Sequence, residues 1–232
     1  VNSPTVFNSG FNFVQFWDGR ARTLETQIDG PVHNIKELGS SWPEILLKLK
    51  RDPAFVSAFK KTYKDDITIE NVKDAIAIFE RSLTTPDSRF DQFLRGDSQS
   101  ITGEEKAGYK LFKSHGCIAC HQGINVGGNM YAKIGVVGDY LADRGNPTKA
   151  DNGRFNVTGR ERDRHLFKVP SLRNVALTPP YFHDGSAKTL SAAVRVMIKY
   201  QLGRTAKEND IERIVAFLKT LTGKYQGTAL WP

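Results

Sequence analysis

Apolar positions recur along most of this chain at helical spacing. Ile69, Val72, Ile76, Phe79 and Leu83 fall three or four residues apart behind Thr68, whose hydroxyl suits an N-cap, and they predict a helix. Trp42, Ile45, Leu46 and Leu49 predict another, and Pro53 restarts a helix through Phe55, Phe59 and Tyr63. Thr102-Gly103-Glu104-Glu105 has the form of a capping box and opens a helix through Ala107, Leu111 and Phe112, which Gly116 stops. A last helix puts Ile211, Ile214, Val215, Phe217, Leu218 and Leu221 on one face and ends at Gly223. Alternating segments are only a few residues long, so any strands are short. The expected fold class is all-α.

The helical pattern lapses between about residues 123 and 180, a stretch rich in Gly, Asn and Asp. So long an irregular stretch inside a compact domain argues that something binds there. No internal repeat is visible. The clearest break is the polar run Arg95-Gly96-Asp97-Ser98-Gln99-Ser100, just before the capping box. It divides the chain into residues 1–100 and 101–232.

Composition adds bounds. At 232 residues and 39% hydrophobic content, the chain can build one large core or two small ones. No apolar run approaches the ~18 residues of a membrane span. The net charge of +8 could serve nucleic acid, an anionic membrane surface or an acidic protein. The basic residues are scattered among acids, however, and the densest run, Arg160 to Arg164, alternates in sign. That pattern reads as solvated surface, with no nucleic-acid partner. The chain begins at Val1 with neither an initiator Met nor a signal-peptide pattern, as a processed, trimmed or partial chain would.

The chemistry sits in Cys117-Ile118-Ala119-Cys120-His121, the attachment signature of a c-type haem. Each thiol adds to a vinyl group on one edge of the porphyrin, and the adjacent His reaches the iron. A zinc site would need more ligands at close spacing, and there is no second Cys pair. A thioredoxin-like pair would need a βαβ context that the pattern lacks. Candidates for the second axial ligand are Met130, Met197, His165 and His183. Met130 lies only nine residues after His121, a short tether for rounding the haem edge at ~3.5 Å per residue. Met197, in a helix-like stretch from Thr189 to Tyr200, is favoured; Met130 stays open. His/Met ligation would fill both axial sites and raise the reduction potential.

Several motifs in order give the chain a resemblance to the bacterial dihaem cytochrome c peroxidases and the related MauG-like enzymes. They are Asn2-Ser3-Pro4-Thr5, Gln15-Phe16-Trp17-Asp18-Gly19-Arg20-Ala21, Gly30-Pro31, the Cys117 to His121 motif, Lys168 to Asn174, and Thr178-Pro179-Pro180-Tyr181-Phe182-His183-Asp184-Gly185. The resemblance implies two c-type haems in the intact protein. One performs peroxide chemistry. The other, matched by Cys117, Cys120, His121 and Met197, accepts electrons from a small cytochrome c or cupredoxin. A Tyr at position 197 would point to the MauG branch, so Met197 favours a peroxidase that reduces hydrogen peroxide.

The resemblance also implies roles for other residues. Glu37 would be the carboxylate that moves a proton between peroxide oxygens. Gln27 would line that pocket, with Phe16 packed beside it. Trp17 would lie between the haems. A calcium ion would take the Asn2 side chain and the Thr178 and Pro180 carbonyls, hard oxygen ligands of the kind Ca2+ prefers. His183 and Arg173 would serve as haem-propionate or hydrogen-bonding groups. The family's first haem motif precedes its Asn-Ser-Pro-Thr segment, where this chain starts. The expectation is therefore a fragment in which residues 1–100 are the remainder of the peroxidatic domain and the tail past Gly223 packs back on it. A periplasmic location and a homodimer complete the picture. The alternatives are a plain electron-transfer cytochrome and a MauG-like oxidase.

Overall fold

The computed structural model describes residues 1–64 and 66–230. The first part of the chain forms α1 (Leu24–Gln27), α2 (Asp29–His33), α3 (Trp42–Lys50), α4 (Pro53–Tyr63), α5 (Ile69–Ser82) and α6 (Arg89–Leu94). The second part opens with α7 (Gly103–Ser114) and a tight turn at Cys117–Ala119. There follow β1 (Tyr131–Lys133), α8 (Tyr140–Arg144), α9 (Phe155–Thr158), β2 (Leu166–Lys168) and α10 (Leu190–Val196). A π-helical turn, Met197–Gln201, leads to α11 (Glu208–Lys219), and β3 (Lys224–Tyr225) and β4 (Thr228–Ala229) close the chain. The fold is all-α, with short strands paired as β1–β2 and β3–β4.

Several helices start where side chains satisfy their first amides. Thr68 accepts from the Asn71 amide at 3.1 Å. Ser41 opens α3, and Asp52 precedes Pro53 at the start of α4. The capping box of α7 is reciprocal: the Glu105 amide donates to Thr102 at 3.3 Å and the Thr102 amide to Glu105 at 2.8 Å.

The main core lies where α7 meets α11. Phe217 packs on Phe90 and Phe112, with ring centroids 5.0 and 5.2 Å away. Gly108 makes this crossing close: a Cβ there would stand 1.9 Å from the Arg213 carbonyl oxygen. A second cluster joins Ile28, Val32, Trp42, Ile67 and Val72.

The expected apolar face of α5 is only partly covered. Val72 and Leu83 are buried, but Ile76 and Phe79 are 38% and 60% exposed. The helix packs on α1 and on the Ser9–Phe11 turn, contacts that leave those two positions facing out. Periodicity located the helix correctly but overstated its burial.

The irregular stretch is ordered by polar side chains. Asn8 donates to Thr85 Oγ1 at 2.7 Å, and Asn174 donates to the same oxygen at 3.0 Å. Asn125 donates to Asn12 at 3.0 Å, and Ser171 donates to Asn125 at 2.7 Å. These pairs clamp the first fifteen or so residues onto the second part of the chain, because satisfied buried networks are rigid. Past Gly223, the Lys224 amide donates to the Pro86 carbonyl at 2.8 Å, and Tyr225 packs edge-on against Phe7.

Candidate functional site

Gly116, at φ +87°, ends α7 and throws the chain into the turn that carries both cysteines. Cys117, Cys120 and His121 line a cavity of about 280 Å³. Met197 lines the same cavity from the first position of the π-helical turn, a distortion often found at functional sites. The remaining wall is largely apolar and includes Phe112, Val175, Val194, Ile198 and Leu218. Asn2 to Thr5 and Trp17 contribute as well, so the first residues of the chain wall the cavity.

Cys117 and Cys120 form no disulfide, and burial pushes the Cys117 thiol up to about 11. Burial pulls His121 down to about 4, which keeps the imidazole neutral and able to ligate metal. Its Nδ1 faces the Val126 carbonyl at 3.4 Å, and the Pro170 carbonyl lies beside it. Gly127 makes room for that approach: a Cβ would stand 2.2 Å from the Pro170 oxygen and 3.3 Å from His121 Nδ1. A backbone acceptor on Nδ1 fixes the ring and leaves Nε2 for iron. Two thiols, a neutral imidazole, a thioether and apolar walls fit haem c in donor chemistry.

Met130 lies off this wall, and its carbonyl accepts from the Val169 amide. His165 is also off the wall and faces the Asp151 carbonyl at 2.8 Å. Of the ligand candidates, only Met197 and His183 line the cavity.

His183 is 2% exposed and holds Asp151 Oδ1 at 2.7 Å through Nε2. Its ring stacks on Phe167, 4.3 Å between centroids. Burial alone would raise the Asp151 carboxyl, but the Arg144 guanidinium, the Thr148 amide and His183 outweigh it and hold the group well below the usual carboxylate range. Arg144 also pairs with Asp184. Trp17 donates its indole N–H to the Asn2 carbonyl at 2.8 Å.

Arg173 differs from the propionate half of its expectation. It lies off the cavity wall because its guanidinium is taken up elsewhere. Both terminal nitrogens donate to Asp91 at 2.9 Å, and Nε donates to the Ile124 carbonyl at 2.6 Å. The Asn2 side-chain amide donates to the Pro180 carbonyl at 2.6 Å and to that of Phe182 at 3.1 Å. Thr178 lines the same region.

Glu37, Gln27 and Phe16 lie off this cavity. Glu37 is exposed on a turn and accepts from the Asn34 side chain at 2.8 Å. Gln27 ends α1, half-buried. Phe16 lies under the Arg20 guanidinium, 3.5 Å from its ring centroid, and packs against Gly30.

Sequence reasoning assigned Lys168 no role of its own. It is buried, and the residue lines the cavity. The signal was present, since a lysine among Leu166, Phe167 and Val169 sits where an apolar residue is expected.

The helical fold and the thiol, imidazole and thioether donors define a c-type cytochrome. Comparison with known proteins narrows the class. The family model described as di-haem cytochrome c peroxidase matches residues 1–99, and the cytochrome c model matches residues 105–222. The chain is 50% identical to cytochrome c peroxidase Ccp of Escherichia coli, over 97% of this chain and 48% of that protein. It is 48% identical to cytochrome c551 peroxidase of Nitrosomonas europaea, over 96% of this chain and 66% of that protein. The crystal structure of a MauG-like protein associated with microbial copper homeostasis superposes with a TM-score of 0.80 at 26% identity, covering 95% of this chain and 75% of the other. The chain belongs to the di-haem cytochrome c peroxidase and MauG family, and its cofactor is haem c. It spans about half to two thirds of the length of these two peroxidases.

Proposed function

We propose that this chain is part of a dihaem cytochrome c peroxidase. The reaction takes one hydrogen peroxide, two electrons and two protons to two waters. The electrons come singly from a small redox protein, a cytochrome c or a cupredoxin, and Cys117, Cys120, His121 and Met197 would hold the haem c that receives them. The observation that carries this reading is the meeting of those four side chains on one cavity. Bound there, haem c supplies one-electron chemistry. His121 and Met197 would both hold its iron, so peroxide would react elsewhere in the intact protein.

In this reading residues 101–232 are the electron-transfer domain and residues 1–100 help to build the peroxide pocket. Glu37 moves a proton there, Gln27 lines the pocket and Phe16 packs beside it. Trp17, at the cavity wall and bonded to Asn2, is the group through which electrons pass. Asn2 with the Pro180 and Thr178 carbonyls holds Ca2+ once the amide turns its oxygen inward. The donors are hard oxygens, as Ca2+ requires, but they carry no charge, which makes the site a weak one. We place the protein in the periplasm as a homodimer.

The test is peroxide turnover by the full-length, haem-loaded protein with a reduced small cytochrome as donor. Sustained, stoichiometric donor oxidation supports the reading. Rapid electron exchange without peroxide consumption would instead identify a plain electron-transfer cytochrome. The MauG-like alternative rests on relatives of lower identity, 28% for the MauG of Methylophilus methylotrophus.

A further inference from the structure

Lys168 is 5% exposed, yet among the described residues its ammonium has no hydrogen-bond or ion-pair partner. Burial with nothing to offset it lowers its pKa to about 8. Buried charges are ordinarily paired, because an uncompensated one costs several kcal/mol, roughly, in desolvation. The backbone around Lys168 is firmly placed. Its amide donates to the Trp17 carbonyl at 2.8 Å, and it pairs with Tyr131 at the end of the β1–β2 ladder. The position is therefore fixed while the charged end is left without a protein partner.

The cavity wall explains what kind of partner is missing. Among the described residues it carries Lys168 and Lys133 but neither Asp nor Glu. Asp151, the buried carboxylate of the network described above, is already occupied by Arg144 and His183. The wall thus offers positive charge to a ligand and no negative charge.

We propose that the Lys168 ammonium is the counter-ion of a propionate carboxylate on the haem c attached at Cys117 and Cys120. This rests on the haem reading of the cavity. The ion pair fixes the orientation of that carboxylate beside Trp17 and holds the reduction potential up. A cation near the iron disfavours the additional positive charge of the ferric state. Without it, an unpaired propionate would favour that state, so both consequences of losing the charge act in one direction.

The experiment uses the full-length holoprotein with Lys168→Met, Lys168→Gln and Lys168→Arg. Covalent haem content is measured first, since it tests the haem reading independently of the lysine. A spectroelectrochemical titration then gives the midpoint potential of the His/Met haem. The methionine and glutamine variants are expected to keep their haem and shift the ferric-to-ferrous ratio at fixed potential toward ferric by roughly tenfold, the size of one charge at ~10 Å in a medium of intermediate dielectric. That is about 59 mV for a one-electron couple. The arginine variant, which keeps the charge, should stay within about threefold of wild type, near 30 mV on the same scale. Haem-loaded Met or Gln variants with an unmoved potential would overturn the proposal. So would an arginine variant shifted as far as the methionine one, which would make the effect one of packing. If neither neutral variant accumulates, the resonance Raman propionate-bending mode of the arginine variant decides: a shift from wild type supports the contact, and an identical band removes it.

Discussion

The indole of Trp17 stands edge-on to the buried imidazole of His183, with ring centroids 6.4 Å apart. The two residues lie far apart in the sequence, and both face the haem cavity. His183 is itself held by Asp151, and Asp151 by Arg144, so a chain of fixed contacts runs from a buried ion pair to the aromatic ring beside the cofactor site. Asn2 ties into the same place twice: its carbonyl accepts from the Trp17 indole, and its own amide donates to the His183 carbonyl at 2.7 Å. The electron-transfer role proposed for Trp17 would benefit from this, because reproducible geometry is what second-sphere contacts supply to a redox site.

Met197→His should leave haem attached and lower its midpoint potential, since thioether ligation favours the ferrous state. Met197 lines the cavity and Met130 does not. A redox titration indistinguishable from wild type would remove Met197 as the ligand and return attention to Met130.

Much of this was legible in the chain because it is local. Thr68, Thr102 and Glu105 act on amides three residues away, so caps and helix starts can be read directly. The haem motif is equally local. What could not be read depends on distant partners. Arg173 meets Asp91, Asn8 meets Thr85, and Asn174 meets Thr85 across 77 to 89 residues of sequence. The solvent exposure of Ile76 and Phe79 is of the same kind, since periodicity marks an apolar face without saying what covers it.

Gly108→Ala should destabilise the protein by about 1–3 kcal/mol, the usual cost of overpacking a close contact. The added methyl would stand 1.9 Å from a backbone oxygen of α11, which no side-chain rotation can relieve. Denaturant unfolding followed by circular dichroism measures this. An unchanged midpoint would mean that α7 and α11 are not packed as closely as described.

Asp151→Asn should cost about 3–5 kcal/mol, because it leaves Arg144 and His183 without their shared buried carboxylate. The wild-type carboxyl titrates below its unfolded value of 3.8, so its contribution is complete above about pH 4 and fades as pH falls through the lower folded value. The variant lacks that contribution at neutral pH. The stability gap between the two proteins should therefore narrow below about pH 4. Unfolding curves at pH 7 and pH 3 check both points, and a gap that stays constant would detach the ion pair from the acid limb.

Glu37→Ala in the full-length protein should cut peroxide turnover by roughly a hundred- to ten-thousand-fold, the usual contribution of a positioned acid–base group. The substitution is a clean probe because the turn does not depend on the carboxylate. The Glu37 and Gly39 amides both donate to the Asn34 carbonyl at 2.9 Å, and the Ser40 amide donates to the Val32 carbonyl at 2.9 Å. Only the Asn34 side chain loses a partner, and that contact is exposed. Haem content and the potential of the His/Met haem should therefore match wild type, which separates lost chemistry from lost structure. Glu37→Gln keeps the shape and the hydrogen bond from Asn34 but cannot shuttle a proton, so it should be nearly as impaired as the alanine variant. Full activity in Glu37→Gln would leave Glu37 a packing or hydrogen-bonding group, and full activity in both variants would make it a surface acid.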